Sequence, residues 1–104
     1  MRCVMEPKLL ALRDEVVRLV SPLRIMVFSR KQTLDGTLAS VKLAVIIRGG
    51  DSHAAEHRLY MELEADIPFD VVVYTAQEWE QRLRDPLSFA ARIRDTGVVL
   101  YAAE

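Results

Sequence analysis

The chain has 104 residues, 51% of them apolar and 28% charged, with a formal net charge of −1. That size sets a single domain, residues 1–104, with one core and no room for a separate substrate domain, and the composition excludes a disordered or collagen-like chain. The apolar runs at residues 43–47 and 71–74 fall far short of the roughly 18 to 20 residues of a membrane-spanning helix. Along residues 7–20, Leu9, Leu12, Val16, Leu19 and Val20 recur at helical spacing. They predict an amphipathic helix that stops at Ser21-Pro22, because proline disfavours helical geometry in the residue before it. Residues 23–28 read as a short strand. Residues 29–39 are polar with Gly36 as the turn, a loop of eleven residues that exceeds the two to five of a tight hairpin. Residues 41–47 are apolar on both alternating faces, the pattern of a central strand covered on two sides, and Arg48-Gly49-Gly50 ends it.

Asp51-Ser52 supplies N-cap candidates for a helix through about residue 65, with Ala55, Leu59 and Leu63 on its inner stripe. Residues 69–74 form the third strand. Thr75 and Glu78 fit a capping box, in which hydroxyl and carboxylate satisfy backbone donors at a helix start, here a helix over residues 76–83. Asp85-Pro86 reads as the N-cap and first turn of a helix over residues 87–96, closed by Gly97, and residues 98–101 make a last strand. The order helix, strand, strand, helix, strand, helix, helix, strand predicts an α/β fold, a mixed β-sheet with packed helices, in which the first three strands are central.

Arg2 is followed by Glu6, Lys8, Arg13 and Asp14, so no apolar signal core develops, and the cytoplasm is the expected compartment, with no membrane partner. Cys3 is the single cysteine, which excludes an internal disulfide and a thiolate metal cluster within one chain. Residues 1–50 hold nine Lys or Arg against four acids and residues 51–104 five against eleven, about +5 and −6. Interleaved charge on solvated helix faces accounts for this asymmetry, and nucleic acid is not an expected partner. His53 and His57 share a helix face, but two ligands fall short of the three or four that zinc needs, so they read as a surface pair. Trp79 and Phe89 read as packing anchors rather than stacking platforms for bases.

The stretch FDVVVYTAQEWEQRLRDPLSFAARIRDTGVVLY, residues 69–101, orders a strand carrying one acid, a capped helix with an acidic-aromatic segment, a proline-led helix and a closing GVVLY. With VFSRKQ and the LAVII strand before it, the chain from about residue 24 to 101 resembles the small bacterial nucleotidyltransferases. These are the minimal nucleotidyltransferase family of the polymerase-beta-like superfamily. The resemblance implies a nucleotidyltransferase-like sheet in which a Gly-Ser turn and basic loop precede an Asp-x-Asp strand, and two metal ions sit among three carboxylates.

Here Ser40 and Lys42 occupy the Asp-x-Asp positions, Asp70 alone matches the third carboxylate, and Ser29 lacks the preceding glycine. Magnesium needs oxygen ligands, whereas an ammonium offers only donors and repels the ion, so Asp70 is read as a vestigial catalytic carboxylate and no metal site or cofactor is expected. Asp35 and Asp51 lie outside the geometry of the lost pair. Ser29, Arg30 and Lys42 are the residues left to meet a nucleotide phosphate, and Lys42 is expected to share a sheet face with Asp70. The implied function is a degenerate nucleotidyltransferase-like binding module. The family's usual partner, a helical HEPN protein in a toxin–antitoxin pair, is the implied partner. Two alternatives stand beside it: an active enzyme using magnesium, Asp70 and another acid, and a structural homo-oligomer without a nucleotide site.

Overall fold

The computed structural model describes residues 7–103, and Cys3 lies outside them. The order is α1 (Pro7–Val20), β1 (Arg24–Gln32), β2 (Leu38–Ile47), α2 (Ser52–Glu62), β3 (Phe69–Thr75), α3 (Ala76–Leu83), α4 (Phe89–Thr96) and β4 (Val98–Ala102). The strands form one mixed sheet in the order β3-β2-β1-β4, with β2 parallel to β3 and β1 antiparallel to both β2 and β4. Among the described residues no helix is long and apolar enough to cross a membrane.

Strand alternation divides the core in two. Ile25, Val27, Val41, Leu43, Val45, Ile47, Val71 and Val73 face α1 and α2, where Leu9, Leu12, Val16, Leu19 and Leu59 cover them. Met26, Ala44 and Ile46 face the other way, against Trp79 of α3 and Ala90 and Ile93 of α4, with Phe28, Val72 and Tyr74 at the margin. Each fully buried aliphatic side chain contributes roughly 1.5–3 kcal/mol, and both sheet faces are needed to hold α1 and the short α4 in place. Trp79 is an anchor as its sequence context indicates, while Phe89 is half-exposed and meets Phe28 edge-on at 5.3 Å.

Three boundaries and one strand position depart from the sequence pattern. Residues 29–39 are not a long loop: β1 continues to Gln32 and β2 begins at Leu38, so only residues 33–37 connect them. Gly36, at φ +88°, turns that connection, and the Asp35 carboxylate accepts from the Thr33 hydroxyl and from the Thr37 N–H. β3 is an edge strand and not a central one. Its run of apolar residues is explained by cover on both faces from helices, which burial patterns cannot distinguish from having strands on both sides. α2 stops at Glu62, where Leu63 leaves helical geometry. α4 starts at Phe89 rather than residue 87, because Ser88 and not Asp85 caps it, accepting from the Ala91 N–H; Asp85 instead holds the Leu87 N–H in the preceding turn. Gly97 does close α4, in extended backbone, with its N–H on the Ile93 carbonyl.

Candidate functional site

Three of the residues singled out from the sequence, Ser29, Lys42 and Asp70, fall in one row across the sheet. In the parallel ladder Lys42 registers with Asp70, flanked by Val41 with Phe69 and Leu43 with Val71. Both belong to the face of Ala44, Ile46, Val72 and Tyr74, the side covered by α3 and α4. That cover ends before their row, so both side chains are exposed. On the other side of β2, the antiparallel register slips by one residue between Val27 and Ser29, a β-bulge at Phe28 that sets Ser29 opposite Lys42. Without the bulge Phe28 would stand there and Ser29 would turn to the opposite face, because strand side chains alternate. The next pair on this face is Lys31 with Ser40.

Arg30 does not join them. It registers with Val41, whose side chain packs toward α1 and α2, so Arg30 leaves the sheet on the other side. The face therefore presents Ser29, Lys31, Ser40, Lys42 and Asp70: two hydroxyls, two ammonium groups and one carboxylate. Among the described residues Lys42 and Asp70 make no ion pair within 4.0 Å, and neither does Lys42 with any other acid. Exposed pairs of this kind are worth about 0–1 kcal/mol, which does not compel two solvated side chains to close.

Asp70 has a neighbour that the sequence pattern did not single out. Tyr60 of α2 reaches round the sheet edge: its hydroxyl accepts from the Val71 N–H at 2.9 Å and donates its single proton to the Val71 carbonyl at 3.2 Å, with Asp70 Oδ1 the longer alternative acceptor at 3.5 Å. One turn earlier on α2, Glu56 Oε1 accepts from the Val73 N–H at 3.3 Å. Spacing of four on a helix puts Glu56 and Tyr60 on one face. That spacing is the sequence signal for the pair, but it acquires meaning only once β3 lies at the edge.

The arrangement can hold an anion on Lys31, Lys42 and the hydroxyls, and among the described residues no group of three or more His, Cys, Asp or Glu side chains is gathered to hold a metal. A divalent metal fits this face poorly on chemistry alone, since it presents one carboxylate beside two ammonium groups that offer no lone pair. His53 and His57 are both exposed on α2. At the far end of β2 a 540 Å³ cleft is lined by Ile47, Arg48, Gly49, Asp51 and Arg58. There the Asp51 carboxylate already takes the His53 and Ala54 N–H groups that open α2. No protein-family model, curated protein or solved structure matches the chain.

Proposed function

We propose that this chain is a degenerate nucleotidyltransferase-like protein that binds rather than transfers. The observation that carries the reading is the register of Lys42 with Asp70, beside Ser29, on one exposed face of neighbouring strands. An Asp-x-Asp site requires its acids and the third carboxylate to meet there, and here a lysine ammonium takes the place of an acid. With one carboxylate left, neither metal ion has the oxygen ligands that would orient a triphosphate and activate an attacking hydroxyl. The remaining chemistry is two exposed ammonium groups, Lys31 and Lys42, with two hydroxyls, suited to an anionic ligand or partner. By the same resemblance, the partner would be a HEPN-type helical protein in a toxin–antitoxin pair.

Incubation with each nucleoside triphosphate and magnesium or manganese is expected to give no nucleotidyl transfer. Transfer that disappears in Asp70→Ala would refute the reading and restore an active enzyme. Calorimetric titration with ATP is expected to give the same weak or absent heat with and without magnesium. Magnesium-dependent micromolar binding would count against it.

A further inference from the structure

We propose that the end of the sheet beneath α3 holds a second binding site, for a small zwitterion: a free α-amino acid with an apolar side chain. A cavity of 260 Å³ lies there. Its floor is one row across three strands, since the register pairs Arg24 with Ile46 on one side and with Ala102 on the other. Residues directly opposite each other on antiparallel strands share a face, and Ile46 packs toward α3, so the row lies under that helix. Ala76, Trp79 and Glu80, three and four residues apart on α3, form the wall. Leu23 and Ala103 close the end. The Leu23 N–H donates to the Ile46 carbonyl at 2.7 Å and the Ala103 N–H to the Leu23 carbonyl at 2.8 Å, which ties both into the sheet.

Three groups around this cavity lack a protein partner. Trp79 is 5% exposed, and among the described residues its indole N–H meets no acceptor, although a buried indole ordinarily finds one. Arg24 and Glu80 are exposed, and among the described residues neither forms an ion pair. These charges decide the ligand class. A plain anion drawn by Arg24 would meet the Glu80 carboxylate, and a plain cation drawn by Glu80 would meet the Arg24 guanidinium. A zwitterion satisfies both. Its carboxylate accepts from Arg24 and from the Trp79 N–H, its ammonium donates to Glu80, and its side chain covers Ile46, Leu23 and Ala76. The volume falls just under the roughly 300 Å³ at which drug-sized sites begin, which suits a ligand of amino-acid size. Ile46 stands about 13 Å along β2 from Lys42, so this site does not depend on the Lys42 and Asp70 row.

Trp79 is the only tryptophan of the chain, so its indole N–H resonance needs no assignment. Titrating the full chain with L-leucine or L-phenylalanine to millimolar concentration is expected to shift that resonance saturably. Leucinamide, which lacks the carboxylate, and isocaproate, which lacks the ammonium, should each bind about tenfold more weakly than leucine. This series uses the unaltered protein. Arg24→Gln and Glu80→Gln replace exposed side chains, and circular dichroism would check that both keep the fold. In the first, leucine should lose its advantage over leucinamide, and in the second its advantage over isocaproate. An indole resonance that neither amino acid moves, either analogue binding as tightly as leucine, or advantages that survive both substitutions in folded protein would each overturn the proposal.

Discussion

Replacing Ser40 and Lys42 together by aspartate should create a magnesium affinity that the parent chain is expected to lack. The structure sets the distances. Neighbouring strands lie about 4.8 Å apart and alternate residues about 6.6 Å along a strand, so position 42 faces Asp70 across the β2–β3 ladder and position 40 follows on the same face. The substitutions change the charge of this row by −3, and two carboxylates about 5 Å apart repel by roughly 0.8 kcal/mol in water and about 3 kcal/mol at an effective dielectric of 20. The exposure of the row favours the lower figure, so the variant without metal should lose about 1–2 kcal/mol of stability. A divalent ion relieves that repulsion. With a dissociation constant near 1 mM, twentyfold excess magnesium restores about 1.8 kcal/mol, or a rise of roughly 7–14 °C in the melting midpoint of a domain this size. Titration calorimetry and thermal melts with and without magnesium read both quantities, and adding Asp70→Ala should abolish both. A folded double variant that ignores magnesium, or a response that persists without Asp70, would show that this row is not the remnant of a metal site.

Tyr60→Phe keeps the stacking on Phe69, whose ring lies 5.7 Å away, but leaves the Val71 backbone groups without their partner. It should cost about 1–2 kcal/mol in urea unfolding and speed exchange of the Val71 amide; unchanged exchange there would count against the edge brace. Gly97→Ala puts a Cβ 2.6 Å from the Ile93 carbonyl oxygen and 3.3 Å from that of Val27. Since both are backbone atoms the chain must shift, and a loss of about 1–3 kcal/mol is expected from the overpacking, measured by the same unfolding; a neutral variant would contradict the close approach. The Thr33 hydroxyl, and then the Thr37 N–H, hold the Asp35 carboxyl down at about 2 from its ordinary 3.8. A lowered folded value means that the turn's contribution is full above about pH 4 and is lost as pH falls through about 2. An Asp35 carboxyl resonance titrating at its ordinary value would refute the turn geometry.

What the sequence determined by itself was local. The 3.6-residue spacing from Leu9 to Leu19 and the alternation-free run at residues 41–47 specify α1 and β2, because a helix stripe and a strand covered on two faces must each bury particular side chains. The Thr75 and Glu78 capping box was legible because both partners lie within one turn, and both its bonds are present. Residues 29–32 read as a loop because they are polar, and Leu38 and Ala39 are drawn into it by the polar run before them; the hydrogen bonds that make both segments strands come from each other across the hairpin. The capping of α4 by Ser88 rather than Asp85 was a choice between two competent side chains, decided by where the helix had to lie for Ala90 and Ile93 to reach Met26 and Ile46.

Tertiary structure alone decided the strand order and the register. Both faces of β3 are apolar wherever it sits, so only the packing of α2 against it, with Glu56 and Tyr60 closing its N–H groups, marks it as an edge. Alternation says which residues of one strand share a face, but not which face of its neighbour they join. A one-residue slip between β2 and β3 would put Lys42 and Asp70 on opposite sides of the sheet. The Phe28 bulge is such a slip on the β1 side, and it brings Ser29 into the row while Arg30 leaves it. Register is fixed by burying whole strand faces at once, a quantity spread over the core and carried by none of the candidate site residues themselves.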